Sequence, residues 1–234
     1  MNFQQLPIKL KTLWLLFAAT LFTVACSVND ASEPDEGELY ISIPDAQFEQ
    51  ILIDQGIDSE GVADQQLLKT DAEAITHLDL DWEGSVEPIR DLSGIEAFIN
   101  LTTLSAARQE LEQIDLISNT RLDTLQLPGN SIQEIDLSKN TLLIDVNLGT
   151  NELVSVEGLP ALQNLDLSWN YLEDFSISNP SVEILFLNLN ELEALDISQA
   201  AKLKSVVVTS NQLTEINLDA NTALEIVVLS DNAI

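Results

Sequence analysis

Three acidic side chains near the middle of the chain are the first candidates for chemistry. Asp79, Asp81 and Glu83 alternate along the sequence, with Trp82 between the last two. Paired carboxylates perform general acid–base catalysis on sugars, and a tryptophan can stack on a sugar ring. Residues of the same types recur later in the chain, namely Asp145, Asp166 and Trp169. This pattern is consistent with a glycan-acting enzyme, but it equally describes a solvated acidic face with no enclosed pocket.

The composition limits which functions are possible. The chain has 234 residues, with 39 Asp plus Glu against 9 Lys plus Arg, for a formal net charge of −30 at pH 7. Nucleic-acid binding is not expected, because phosphate contacts require a basic patch. A single His, at 77, and a single Cys argue against a metal cage, a cofactor site or a His-paired nucleophile. We therefore predict no enzyme, metal or cofactor. The charge suits a basic partner or divalent cations, or it merely keeps the protein soluble.

The candidate residues belong to a repeated phrase of eleven residues, whose clearest copy runs from Leu162 to Leu172. Leucine-type residues occupy steps 0, 3, 5 and 10, and asparagine occupies step 8. Steps 3 and 5 lie two residues apart, so they point to the same side of a short strand. Copies begin at residues 75, 101, 122, 143, 162, 182, 203 and 224. This short period predicts a solenoid of about eight coils whose strands stack into a parallel sheet.

The phrase resembles the leucine-rich repeat over residues 75–234. The resemblance implies an α/β solenoid, a horseshoe with a concave parallel β-sheet and an N-terminal helical cap. Asparagine suits step 8 because its amide both donates and accepts, so it can satisfy backbone groups where the strand bends away. The alternative is that these asparagines are ordinary turn residues. They are Asn130, Asn151, Asn170, Asn190, Asn211 and Asn232.

The first residues are predicted to direct export. Residues 1–25 are predicted to be a signal peptide, because Lys9 and Lys11 precede an apolar run that is short for a membrane span. Residues 23–26, Thr-Val-Ala-Cys, resemble the bacterial lipoprotein box, although Thr23 replaces the usual leucine. The resemblance implies lipidation of Cys26, followed by a lipidated acidic linker over 26–38. The alternatives are ordinary cleavage nearby or an uncleaved anchor.

Residues 39–74 are predicted to form the N-terminal cap. Alternation of apolar residues predicts a strand near residue 41, Asp45 opens a helix that ends at Gly56, and a second helix is expected over residues 64–74. Residues 43–61, followed by Leu-Ser-Gly-Ile-Glu at 92–96, are similar to the entry segments of extracellular bacterial leucine-rich repeat proteins. These include internalin-like proteins and secreted proteins of the Bacteroidetes. The similarity implies an extracytoplasmic protein at the bacterial outer membrane or cell surface, and Ser27 after the cysteine favours the outer membrane.

The concave face is predicted to change character along the solenoid. Its outward steps 2 and 4 are polar in the earlier coils and largely apolar in the last three. Such loss of alternation signals burial on both faces. Alternatively, β-branched residues merely suit strands, or the patch covers itself in a homodimer. The residues predicted to bind a partner are Ile184, Phe186, Val207, Ile226 and Val228.

The leading functional interpretation is a cell-surface, lipid-anchored module that mediates protein binding or adhesion through its concave face. The alternatives are a structural envelope protein without a specific ligand and the glycan-acting enzyme. The last coil reaches step 10 at Ile234 and no cap follows in the sequence. An open solenoid end predicts self-association through that end, low stability of the last coil, or a truncated gene.

Overall fold

The computed structural model describes residues 39–84 and 86–234. The predicted signal peptide, the lipidation site Cys26 and the acidic linker lie outside the described residues.

The described chain begins with the predicted cap. Strand β1 (Tyr40–Ser42) leads into helix α1 (Ala46–Asp54), which is followed by β2 (Gln66–Leu68) and helix α2 (Lys69–Ala74). Asp45 begins α1, since its Oδ1 accepts hydrogen bonds from Gln47 N at 2.9 Å and Phe48 N at 3.0 Å. Its Oδ2 accepts from the backbone N of residues 90 and 91 at 2.9 and 3.1 Å. One carboxylate therefore caps the helix and ties it to the solenoid.

The prediction of a second helix over residues 64–74 is wrong for the first half of that range. Residues 66–68 form strand β2, which pairs antiparallel with β1 so that Ile41 lies opposite Leu67. Only Lys69–Ala74 is helical. The pairing edge of β1 satisfies the backbone groups of β2, and this tertiary partner overrides the local preference for a helix.

Behind the cap, the repeated phrase forms one parallel sheet of eight strands, as predicted. Each strand occupies steps 2–4 of its coil, and the sheet order follows the chain from β3 to β12. The middle residue of the strand is the leucine-type residue of step 3. The strands are β3 (His77–Asp79), β4 (Thr103–Ser105), β5 (Thr124–Gln126), β6 (Asp145–Asn147), β7 (Asn164–Asp166), β9 (Ile184–Phe186), β11 (Ser205–Val207) and β12 (Ile226–Val228).

The return side of each coil is extended rather than built of long helices. Strands β8 (Asp174–Ser176) and β10 (Ala194–Asp196) pair in parallel there, and residues 136 and 157 form a bridge. A single 3₁₀ turn, Ile95–Ala97, follows the left-handed Gly94. These segments supply the second row of core side chains, which includes Phe175, Ile177 and Ile197.

The core runs between the sheet and the return side. Phe48 of α1 and Phe98 of the first coils lie fully buried with ring centroids 6.3 Å apart, so the cap closes the N-terminal end of the core. At the other end Val227 of β12 is 40% exposed, whereas its register partner Val206 is fully buried. The last coil therefore buries its apolar side chains on one flank only.

The step-8 asparagines point inward and join successive coils. The Nδ2 of Asn190 donates to Leu167 O at 2.9 Å and Leu187 O at 3.0 Å, and its Oδ1 accepts from Leu172 N at 3.1 Å. The same three bonds recur at the other five step-8 asparagines. In the second coil Gln109 occupies the step, accepting from Ile89 N at 2.7 Å and donating to Leu80 O. Each amide thus satisfies backbone groups beyond the end of the ladder.

A second row of asparagines lies three residues before the coil starts, and the sequence analysis missed it. Asn140 Nδ2 donates to Leu116 O at 2.9 Å and Asn119 O at 3.0 Å. Asn119 and Asn221 bond the preceding coil in the same way. The signal in the sequence is the Asn-Thr pair that precedes these coils at 119, 140 and 221.

Candidate interaction surface

The eight-stranded sheet presents one row of side chains to the core and two to the outside. In β4 to β7, β9 and β11 the middle residue is buried and the two flanking residues are partly exposed. The flanking residues occupy steps 2 and 4. We call the surface that they form the open face.

The middle of the open face is polar and internally hydrogen-bonded. Asp145 accepts from Gln126 Nε2 at 2.7 Å and from Asn164 Nδ2 at 2.8 Å, so it bridges three adjacent strands. Asp166 Oδ1 accepts from Ser168 N at 2.9 Å and Ser168 Oγ at 2.6 Å. A shallow depression of about 240 Å³ runs from Gln126 to Phe186 across this region. These carboxylates therefore organise the sheet surface itself.

The five residues predicted to bind a partner lie together on the open face. Phe186, Val207 and Val228 are register partners on β9, β11 and β12, and they form an unbroken apolar row. The parallel row of Ile184 and Ile226 is interrupted by Ser205. Ile226 is 53% exposed and Val228 is 38% exposed. We call these five residues, Ile184, Phe186, Val207, Ile226 and Val228, the apolar patch.

The carboxylates of Asp79 and Asp81 accept hydrogen bonds mainly from backbone N–H groups. Asp79 Oδ1 accepts from Asp81 N at 3.0 Å, and Asp81 Oδ1 accepts from Ser105 Oγ at 2.6 Å and Ala107 N at 2.7 Å. Trp82 Nε1 donates to Val86 O at 2.7 Å. A cleft of about 720 Å³ lies between these residues and α1. Its carboxylates hold the ends of the first strands, which leaves them poorly placed to act as a catalytic pair.

The other side chains that could take part in catalysis or metal binding lie apart from one another. His77 Nδ1 lies 2.9 Å from Thr76 Oγ1 on the surface. Within residues 39–84 and 86–234, no three His, Cys, Asp or Glu side chains gather as metal ligands would. None of the helices in the described part of the chain has the length and apolar character that a membrane crossing requires.

Few of the acidic residues on the surface are paired with a basic residue. Two ion pairs form among the described residues, Arg90 with Glu110 at 2.7 Å and Lys204 with Glu183 at 2.6 Å. The hydrogen bond and charge of Lys204 lower the pKa of Glu183. Against a net charge of −30, these pairs neutralise little, so the protein keeps a strongly negative electrostatic field.

A second exposed cluster lies at the rim of the sheet, where each strand ends. The backbone is left-handed at step 7 of seven coils, with φ between 57° and 75°, and Trp169 and Leu189 occupy two of these positions. With Tyr171 they line a cleft of about 360 Å³. Trp169 is 57% exposed and Tyr171 is 53% exposed. We call Trp169, Tyr171 and Leu189 the rim cluster.

The sequence analysis placed Trp169 near Asp166 and Asp145 but missed Tyr171 and Leu189. The signal available was the apolar residue at step 7 of two successive coils, where the coils on either side carry Thr150 and Ser210. This pattern indicates a surface cluster only once the left-handed turn that places step 7 at the rim of the sheet is known.

Comparisons with known proteins identify the fold. No protein-family model matches the sequence, and no curated protein matches it. Among solved structures, the functional domain of InlJ from Listeria monocytogenes, which includes a cysteine ladder, matches with a TM-score of 0.58 at 22% identity over 82% of this chain. An internalin C2 from the same species matches with a TM-score of 0.54 at 20% identity, covering 82% of this chain and 86% of that one. The Leptospira interrogans leucine-rich repeat protein LIC12759 matches with a TM-score of 0.51 at 22% identity, covering 69% and 50%.

These likenesses concern the fold. The chain spans about half of the InlJ domain, 48% of its length. A single cysteine cannot form a ladder of cysteines, so that feature of the InlJ domain has no counterpart in this sequence. The eight-stranded parallel sheet, the repeated phrase and these structural matches agree: the chain folds as a leucine-rich repeat solenoid.

Proposed function

We propose that this protein is a cell-surface binding module that captures a protein partner on its open face. The apolar patch carries the proposal. On a chain with 39 acidic residues, five apolar side chains stand together on an exposed sheet surface where polar residues would serve the fold equally well. Contiguous exposed apolar surface is a mark of an interaction site.

The surroundings of the patch resemble the anatomy of a protein interface. Phe186 is the largest member and lies on β9, where the polar part of the open face meets the apolar patch, and aromatic side chains are frequent anchors of binding energy. The hydrogen-bonded Asp145 and Asp166 border it on one side, and a polar border limits water access to an apolar centre. The acidic field adds long-range attraction for a basic partner. No catalytic activity is part of the proposal.

The test is a double substitution that spares the core. Phe186→Asp with Val228→Asp places two charges in the patch and leaves Leu185 and Val227, the middle residues of the same strands, unchanged. We expect capture of envelope or host-surface proteins, read by cross-linking and mass spectrometry, to fall strongly, because two uncompensated charges would have to be desolvated at the interface. The matched control adds the same charge outside the open face, as Gln199→Asp with Thr214→Asp. Unchanged capture by a folded patch variant would remove the patch from consideration.

The proposal includes a lipid anchor at Cys26 and placement at the bacterial outer membrane or cell surface. It is supported by the Thr-Val-Ala-Cys sequence at 23–26 and the acidic, Pro- and Gly-containing segment that follows. Metabolic labelling with a palmitate analogue should mark the protein, and Cys26→Ala should abolish the label. A label that survives this substitution would refute the anchor without touching the binding proposal.

Self-association is a second possible use of the same end of the sheet. The side chains of Val227 and Ile234 are 40% and 60% exposed, and β12 is the terminal strand. A second copy could cover this apolar surface. Sedimentation equilibrium distinguishes the two uses, because a homodimer dissociated by Val227→Asp would assign the surface to a copy of the chain.

A further inference from the structure

The rim cluster is costly for the folded protein, and the fold alone does not account for it. A left-handed backbone disfavours residues with a Cβ, and the third coil meets the same requirement with Gly129. Trp169 and Leu189 adopt this conformation at φ 57° and 59°, with 57% and 37% of their surface exposed. Neither backbone preference nor core packing therefore explains why these two positions carry large apolar side chains.

The rim cluster is held rigidly. Trp169 N donates to Asn188 O at 2.8 Å, and Leu189 N donates to Thr209 O at 2.9 Å. Tyr171 N donates to Leu153 O at 2.9 Å. Because the backbone of each residue is tied to a neighbouring coil, the three side chains project from fixed positions before any ligand arrives, which lowers the entropic cost of binding.

The side chains that line this cleft carry one negative charge, and its hydroxyls both donate and accept hydrogen bonds. The amides of Asn151, Asn170 and Asn190 are consumed by the asparagine row. What remains, besides the indole N–H, is the carboxylate of Glu191 and the hydroxyls of Thr150, Tyr171 and Ser210. None of the residues that line the cleft is basic. The cleft thus offers aromatic faces, acceptors and a negative charge.

We propose that the rim cluster binds the guanidinium group of an arginine presented by the protein partner. A guanidinium is planar, carries five N–H donors and no acceptor, and stacks on tryptophan and tyrosine rings. Trp169 and Tyr171 supply the faces for a cation–π contact. The Glu191 carboxylate supplies the charge-assisted hydrogen bond. A neutral sugar ring could stack on the same aromatic faces, but it carries no positive charge for the Glu191 carboxylate to pair with.

This inference rests on the proposed protein-binding function, and it names the chemistry of one anchoring residue. It agrees with the acidic surface, on which the two ion pairs formed by the described residues lie outside this cleft. The partner would place an apolar group on the apolar patch and an arginine at the rim. The two contacts are separable by substitution, since they share no residue.

The test uses the full-length chain and short peptides as probes. We would titrate the ¹⁵N-labelled protein with the peptide Gly-Ser-Arg-Ser-Gly and with the same peptide carrying citrulline in place of arginine. Citrulline keeps the shape and removes the charge. The indole N–H signals of Trp82 and Trp169, assigned by Trp→Phe variants, report where the peptide binds. We expect the Trp169 signal to shift and saturate as the arginine peptide is added, and the Trp82 signal to stay unchanged. The citrulline peptide should bind about tenfold more weakly.

Two variants make the assignment specific. Glu191→Gln keeps an acceptor oxygen and removes the charge, so affinity for the arginine peptide should fall by about fivefold to tenfold. Trp169→Gly, which copies the residue of the third coil, relaxes the backbone and should abolish binding in a protein with unchanged circular dichroism. Binding is read in both variants by the fluorescence anisotropy of a labelled peptide.

Several results would overturn the inference. These are equal affinity for the citrulline peptide, equal shifts at Trp82 and Trp169, affinity unchanged by Glu191→Gln, or saturable binding of a neutral oligosaccharide where the arginine peptide fails. The failure of the proposed function would look different. The arginine peptide would still bind at Trp169, while the patch variant Phe186→Asp with Val228→Asp would lose no protein partner.

Discussion

Asp166 and Phe186 are register partners on the adjacent strands β7 and β9, and the open face changes from polar to apolar between them. On the Asp166 side the carboxylates are tied into hydrogen bonds with Ser168, Gln126 and Asn164. On the Phe186 side the row continues through Val207 and Val228. Under the proposed function, a partner bound across this boundary would contact hydrogen-bond acceptors on one side and an apolar surface on the other, which would set its orientation on the sheet.

Replacing a step-8 asparagine should destabilise the solenoid strongly. Asn190→Ala removes three hydrogen bonds and leaves Leu172 N without its partner, whereas Leu167 O and Leu187 O keep the amide donors of Asn170 and Asn211. The unpaired N–H costs about 1–3 kcal/mol and each lost hydrogen bond about 1 kcal/mol, so we expect the free energy of unfolding to fall by about 3 kcal/mol. Urea denaturation measures the loss. Asn188→Ala, two residues away on the partly exposed step 6, should stay within about 0.5 kcal/mol of the parent. Similar losses in both variants would contradict the role of the asparagine row.

The second row of asparagines should contribute less per residue than the first. Asn140 makes two hydrogen bonds through Nδ2, and no group in the described part of the chain donates to its Oδ1. Asn151, at step 8 of the next coil, makes three. Asn140→Ala should therefore cost about 1 kcal/mol less than Asn151→Ala. A larger loss for Asn140→Ala would show that the second row is the stronger tie between coils.

Gly158 should tolerate no side chain. A Cβ at this position would lie 2.5 Å from Ser138 N and 2.6 Å from Ser138 Cα, and the backbone is left-handed at φ +68°. At Gly61, with φ +64°, a Cβ would meet nothing within 4 Å. Gly61→Ala should thus cost about 1–2 kcal/mol from conformation alone, whereas Gly158→Ala adds a backbone clash of about 1–3 kcal/mol. Comparing the thermal unfolding of Gly61→Ala and Gly158→Ala separates the conformational cost from the cost of the clash. Equal midpoints would mean that the coils can move apart at residue 158.

The carboxylate of Asp196 should make stability depend on pH in a defined direction. The backbone N–H of Ser198 donates to its Oδ1 at 2.9 Å and lowers the pKa of Asp196. A carboxyl whose pKa is lower in the folded state stabilises the protein above its unfolded pKa, and the contribution is lost as pH falls through the folded pKa. Asp196→Ala should therefore be less stable than the parent near neutral pH, with the deficit shrinking in acid. Ser198→Ala keeps the backbone donor, so the pKa of Asp196, followed by carbon NMR, should stay below its usual value. A return to that value in Ser198→Ala would assign the shift to the hydroxyl instead.

Local pattern was sufficient to place the strands of the main sheet. Steps 2–4 of all eight copies of the phrase form its strands, because alternation at steps 3 and 5 depends only on neighbouring residues and recurs at a fixed period. The helix after Asp45 was equally readable, since its cap and apolar face lie within ten residues. Strand β2 was missed because its partner β1 lies 26 residues earlier at the pair of Ile41 and Leu67.

The candidate sites also divide into residues that the sequence places together and residues that only the fold brings together. The sequence by itself determined that Ile184, Phe186, Val207, Ile226 and Val228 share one face, because side chains alternate along every strand and the coils stack in register. Only the tertiary structure decided that Tyr171 and Leu189 join Trp169 in a cleft, and that Asn151, Asn170 and Asn190 are no longer free to bind a ligand there. The physical reason is that a left-handed turn and cross-coil hydrogen bonds set the direction of these side chains, and both depend on residues about twenty positions away in the chain.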